Sequence, residues 1–263
     1  MLAQFLKFAV LCLPLLAVAA PAGPDGRERR MLTDAEAETY RGVGRLNVAG
    51  RRFCTAVLIA PDRILSAAHC LYHPRTQRAV PLDEMRFVAG VRRSEYAALR
   101  GIRRAAIPDG FRPDGSLRLE NLRADIALLE LDEPVAAPLV PSFAPGAAPS
   151  GQDVIAIASY ARDRSQAVSL QDGCRITAQI ATVVALDCGV NLGASGAPVM
   201  AIGPNGRRVW AVVSSTGRDE ATGDDVTLAV MAAGALADLE ARLSETLPSR
   251  SSEPLNARPR ARP

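Results

Sequence analysis

The chain reads as an all-β protein, in barrels or sandwiches. Two observations carry this. Short apolar segments recur along the body, and turn residues separate them. The segments are Cys54–Ala60, Ile64–Ala67, Met85–Ala89, Ile126–Leu131, Val154–Ala158, Ile176–Ala185, Val199–Ile202, Val209–Val213 and Val226–Met231. Between them lie Pro61-Asp62, Pro108-Asp109-Gly110, Pro113-Asp114-Gly115, Pro204-Asn205-Gly206 and Thr222-Gly223-Asp224, residues that punctuate a chain because they favour turn geometries.

In chain order, residues 1–22 have the form of a secretory signal peptide. One positive charge at Lys7 precedes an apolar run, and small residues near 19–22 suit cleavage. Pro14 interrupts the run, which is shorter than the ~20 residues a membrane-spanning helix needs. Residues 23–41 form an N-terminal extension or short propeptide. Arg29-Arg30 within it is either a processing site or a charged stretch before a strand. Residues 42–133 hold the first group of strands. Residues 134–151 carry five prolines and two glycines and form a linker. Residues 152–247 hold the second group, with Pro204-Asn205-Gly206 as a hairpin turn. Leu236, Leu239, Leu243 and Leu247 then fall on one face at helical spacing, bounded by Gly234 and Pro248. The tail 248–263, with four Arg, one Glu and four Pro, is expected to be disordered.

Composition narrows the function. The formal charge is +3, from 31 basic and 28 acidic residues, which does not suit a nucleic-acid partner. No stable membrane insertion is expected, and a monomer is. Five cysteines less Cys12 in the signal segment leave Cys54, Cys70, Cys174 and Cys188. An even number behind a secretory signal points to two disulfides, with three possible pairings. A zinc site is the alternative, but no C-x-x-C spacing supports it.

Chemistry concentrates at few positions. His69 and His73 are the only histidines. His69 ends an apolar strand beside Cys70, where a structural role is the ordinary expectation; His73 reads as a surface residue. Asp125 opens the apolar run Ile126–Leu131 and needs hydrogen-bond donors if desolvated, from its own backbone in the simpler case. Glu130 reads as its solvent-facing counterpart. Gly193-Ala194-Ser195-Gly196-Ala197-Pro198 places one hydroxyl among small residues, where a loop turn competes with a site of close approach. A serine nucleophile needs a base within reach and a third group to orient that base. A developing oxyanion needs uncovered backbone amides.

The order His69, Asp125, Ser195, with Ser66-Ala67-Ala68-His69-Cys70, Asp125-Ile126-Ala127-Leu128-Leu129 and the serine hexapeptide as flanks, resembles the trypsin-like (chymotrypsin-fold) serine endopeptidases. The resemblance spans roughly residues 42–247. It implies two six-stranded antiparallel β-barrels with the active site in the cleft between them, followed by the C-terminal helix. It implies His69, Asp125 and Ser195 as catalytic triad, the amides of Gly193 and Ser195 as oxyanion hole, and no cofactor or metal. It implies the bridge Cys54–Cys70; the second is expected as Cys174–Cys188. The substrate would be a polypeptide, and the location secreted or periplasmic. Ala194 replaces the aspartate that holds a new N-terminus in digestive members, so that activation switch is expected to be absent. The features resemble most the bacterial secreted glutamyl-endopeptidase-like branch. Gly189, Ser214 and Thr216 are the matching specificity-pocket positions. With neither a carboxylate at 189 nor a histidine in 212–217, they imply a preference for small or medium uncharged residues. Ala194 and Ala197 leave a second possibility: a binding module of weak or no activity on the same scaffold.

Overall fold

A computed structural model of the chain describes residues 28–50, 52–219 and 222–245. The expected signal peptide, the basic tail and Leu247 lie outside these described residues.

The described chain enters through a two-residue strand, β1 (Arg30–Met31), and a short helix, α1 (Asp34–Glu38). A reciprocal cap starts α1: Thr33 Oγ1 accepts from the Glu36 amide and the Glu36 carboxylate accepts from the Thr33 amide. Six strands follow: β2 (Val43–Val48), β3 (Arg52–Ala60), β4 (Arg63–Ser66), β5 (Met85–Ala89), β6 (Ala98–Ala106) and β7 (Ala127–Leu131). They close into an antiparallel barrel in the order β2-β3-β4-β7-β6-β5. A helix α2 (Leu119–Arg123) precedes β7.

The alternation of side chains explains why these strands read as apolar runs. In β3, Cys54, Ala56 and Leu58 pack inside the barrel with Phe87 and Ile102, while Val57 points the other way. In β7, Leu129 and Leu131 point inward and Leu128 outward. The outward residues meet Tyr160, Met200 and Val212 from the second half of the chain. A strand buried on both faces loses its polar alternation.

Glu130 is a correction. It is only 4% exposed, not solvent-facing. The register places Arg63 of β4 and Arg104 of β6 opposite it. Arg104 Nε donates to its carboxylate at 2.6 Å, with Arg63 and Arg103 at 3.7 and 3.5 Å. Removing one member of a buried ion cluster leaves the others uncompensated. Glu130→Ala is expected to destabilise by about 2 kcal/mol, discounted for the partial exposure of the arginines, measured by urea denaturation.

The second half has β8 (Val154–Ala161), β9 (Arg164–Cys174), β10 (Ile176–Ile180), β11 (Val183–Leu186), β12 (Pro198–Gly203), β13 (Gly206–Arg218) and β14 (Asp225–Met231). Here the structure departs from a second closed six-stranded barrel. Strand pairing gives one eight-stranded sheet, in the order β1-β9-β8-β12-β13-β14-β11-β10, with β1 and β10 as unpaired edges. All five residues of β10 are exposed, so no part of the described chain packs over that edge strand. The run Ile176–Ala185 is two strands, β10 and β11, broken at Ala181, whose φ is +53°. The turn between β12 and β13 is the expected hairpin, with Gly203 paired to Gly206.

A last helix, α3 (Ala233–Glu245), buries Leu239 and Leu243 and lies against β6 and β7. None of the helices among the described residues is long and apolar enough to cross a membrane. Both expected bridges are present, Cys54–Cys70 and Cys174–Cys188, with Cα atoms 6.2 and 5.5 Å apart. With Cys54 and Cys70 sulfurs joined, the cluster they form with His69 offers a metal no thiolate.

Candidate active site

β4 ends at Ser66 and the chain turns into a short 3₁₀ segment, Ala68–Leu71, which carries His69. The Cys54–Cys70 bridge ties this segment to β3. Asp125 lies between α2 and β7, only 6% exposed. Its partner is not its own backbone. Oδ1 accepts from the His69 amide at 2.9 Å, and Oδ2 lies 2.8 Å from His69 Nδ1. Ser214 Oγ, from β13, donates to the same Oδ2 at 2.5 Å. An ionised carboxylate only accepts, so in this bond His69 Nδ1–H donates, and in the neutral ring Nε2 is the nitrogen left with a lone pair. His73 is exposed, as expected.

The serine turn joins β11 to β12. Ala194 N donates to Asn191 O at 3.0 Å, Ala197 N to Ala194 O at 2.9 Å and Gly196 N to Val213 O at 2.7 Å. β3 braces the turn from below. Thr55 N donates to Ser195 O at 2.8 Å, and Thr55 Oγ1 donates to Gly193 O at 2.9 Å. In the hydrogen bonds of the described residues, the amides of Gly193 and Ser195 donate to no protein acceptor, as a receptor for an oxyanion requires.

The glycines here answer to space as well as conformation. Gly193 has φ +102°, and a Cβ would lie 2.7 Å from the Phe53 ring. Gly196 has φ +79°, and a Cβ would lie 2.2 Å from Ser66 Oγ and 2.3 Å from Thr55 O. Gly196→Ala must therefore displace β3 or β4 as well as adopt a disfavoured backbone. It is expected to destabilise by about 3 kcal/mol, read by thermal denaturation, with loss of reactivity at Ser195.

His69, Asp125, Ser195 and Ser214 line one cleft of about 330 Å³. Thr216 lies on its wall and is exposed. Ser214 is buried, its hydroxyl turned to Asp125. Gly189 does not line the cleft; its α-carbon faces the Asp225 side chain, 3.0 Å from where a Cβ would lie. The lining also includes Arg52, Tyr72 and the segment 111–117, none of which sequence reasoning assigned to a site. Thr55 was also missed, although a threonine inside the apolar stretch Cys54–Ala60 is a visible signal.

The family described as Trypsin-like peptidase domain matches residues 54–209, a span that includes all three candidate residues. A modular serine protease of Drosophila melanogaster is 33% identical over 87 residues, covering 31% of this chain. The chain spans only 13% of that relative's length. Among solved structures, a Glu endopeptidase bound to MPD superposes with a TM-score of 0.65 at 16% identity, over 83% of this chain and 97% of that one. A thermostable serine protease, AL20, from an extremophilic microorganism gives 0.62 at 13% identity, over 80% and 100%. At these identities the two structures bear on the fold alone.

Proposed function

Since the chain belongs to the trypsin-like peptidase family, we propose that it is a serine endopeptidase acting through Ser195, His69 and Asp125 with an acyl-enzyme intermediate. One observation supports this above the rest: the Asp125 carboxylate holds both the amide and Nδ1 of His69, and Ser195 lines the same cleft. A histidine merely buried for packing needs no such two-point clamp.

The proposed reaction moves protons in a definite sequence. His69 Nε2 takes the hydroxyl proton as Ser195 Oγ attacks the scissile carbonyl. Asp125 stabilises the imidazolium that results. The amides of Gly193 and Ser195 receive the oxyanion. His69 then protonates the leaving amine. Water, deprotonated by His69, releases the acyl group. The two disulfides fit an oxidising compartment, and with the signal pattern of residues 1–22 they support a secreted or periplasmic location. The substrate is a polypeptide, and Thr216 on the cleft wall favours small or medium uncharged residues before the cut.

The test is labelling of the signal-free protein by a fluorophosphonate, beside Ser195→Ala, read by intact mass. One adduct on the wild type and none on the variant is expected. No adduct on folded, disulfide-bonded protein overturns catalysis and leaves the binding-module reading.

A further inference from the structure

The cleft contains a cation that the catalytic chemistry does not use. Arg52 begins β3, three residues before the Thr55 that braces the serine turn. It is half-buried and lines the cleft together with His69 and Ser195. Its Nη2 donates to Cys70 O at 2.8 Å and also to Tyr72 O, so the guanidinium is fixed in place. Its Nε and Nη1 find no acceptor among the described residues, yet neither is sealed from solvent. None of the carboxylates among the described residues pairs with it. Burial pulls its pKa below the ordinary arginine value, a cost that an anionic partner would relieve.

The other charged residues lining the cleft have partners of their own, and Arg112, like Arg52, is held through one nitrogen by two carbonyls. Asp125 serves His69 and Ser214. Asp114 Oδ1 takes the Ser116 amide at 2.8 Å. Arg112 Nη1 donates to the Asp109 and Phe111 carbonyls. A planar guanidinium held still, with donors free, is matched to a carboxylate.

The side of the cleft follows from the histidine. Its Nδ1 faces Asp125, so Nε2 delivers the proton to the leaving amine. That nitrogen lies 3.8 Å from Cys70 Sγ, and Cys70 O is a carbonyl that holds Arg52. The nitrogen that protonates the leaving amine and the Arg52 guanidinium thus lie against the same bridged residue, Cys70.

We propose that Arg52 forms a subsite for the leaving half of the substrate, selecting Asp or Glu within the first two residues after the cut. This rests on the endopeptidase reading above. It concerns the opposite side of the scissile bond from the pocket near Thr216.

The experiment uses a peptide found by library cleavage, remade with Glu, Gln or Lys at each of the two positions after the cut. At one position wild type is expected to prefer Glu to Gln by about tenfold in kcat/KM, with Lys poorer than Gln. The preference should weaken at high salt. In Arg52→Gln, which keeps a donor for the two carbonyls, the Glu-to-Gln ratio should fall to about one; in Arg52→Lys it should survive in part. Each ratio is taken within one protein, so a general loss of activity cancels. If Arg52→Gln does not fold, Arg52→Lys and the salt dependence of the wild type decide. Equal cleavage of Glu and Gln by a protein that fluorophosphonate does label overturns this subsite alone. So does an unchanged ratio in Arg52→Gln. A wild type that takes no label overturns the endopeptidase reading and the subsite with it.

Discussion

Ser195→Ala is expected to lower kcat for peptide hydrolysis by roughly 10⁶-fold, with KM little changed. The methyl group leaves the turn intact. Its hydrogen bonds run through the backbone: Thr55 N to Ser195 O, Gly196 N to Val213 O and Ala197 N to Ala194 O. Stability should therefore move by no more than about 0.5 kcal/mol. What disappears is the nucleophile. Residual hydrolysis above the uncatalysed rate would come from binding and from the two open amides. The measurement is burst and steady-state kinetics on a peptide ester and the matching amide. A variant that retains more than a thousandth of wild-type kcat would show that another group attacks.

Asp125→Asn is expected to lower kcat by roughly 10⁴-fold while the protein stays folded. The reason is the number of donors that converge on this carboxylate. Oδ1 accepts from the His69 amide; Oδ2 accepts from His69 Nδ1 and Ser214 Oγ. An asparagine supplies one oxygen and one NH₂ group. The backbone amide of His69 cannot change roles, so it claims the oxygen. The NH₂ then faces Nδ1, which must become an acceptor, and the proton moves to Nε2. A protonated Nε2 cannot take the Ser195 proton at neutral pH. The Ser214 hydroxyl, which donates to the carboxylate, must turn to accept from the NH₂, and losing the charged acceptor costs about 1–2 kcal/mol. The check is kcat beside thermal denaturation. A variant of near wild-type rate would show that Asp125 only packs, and that its bonds to His69 have no part in the chemistry. A ring-nitrogen NMR spectrum of His69 in the variant reports the tautomer directly.

Much of the site was legible because its chemistry needs rare residue types in local company. One of only two histidines stands beside a cysteine. Ser195 stands among residues too small to cover the neighbouring amides. Asp125 opens an apolar strand, where a carboxylate without a partner would be costly. The strand segments were legible for the same reason: apolar runs between turn formers. Among the strands outside those runs, β2, β6 and β9 are held largely by their neighbours. β6 is the plainest case. It carries Arg100, Arg103 and Arg104 and becomes a strand because β5 and β7 offer it hydrogen bonds on both edges.

By itself, then, the sequence determined the all-β class, the positions of the candidate nucleophile, base and carboxylate, and the short-range punctuation between strands. These depend on neighbours a few residues apart, where side-chain size, turn preference and alternation act directly. Only the tertiary structure decided what depends on approach between distant segments. It brought Ser214 to Asp125 across 89 residues and Thr55 beneath the serine turn across 140 positions of chain, donating to Ser195 O. It buried Glu130 between two arginine-bearing strands, a result of register rather than of local pattern. It left the second sheet unclosed, with the edge strand β10 exposed along its length. It set Arg52 into the wall of the cleft with two donors unused, because the loop bridged through Cys70 turns its carbonyls towards that guanidinium.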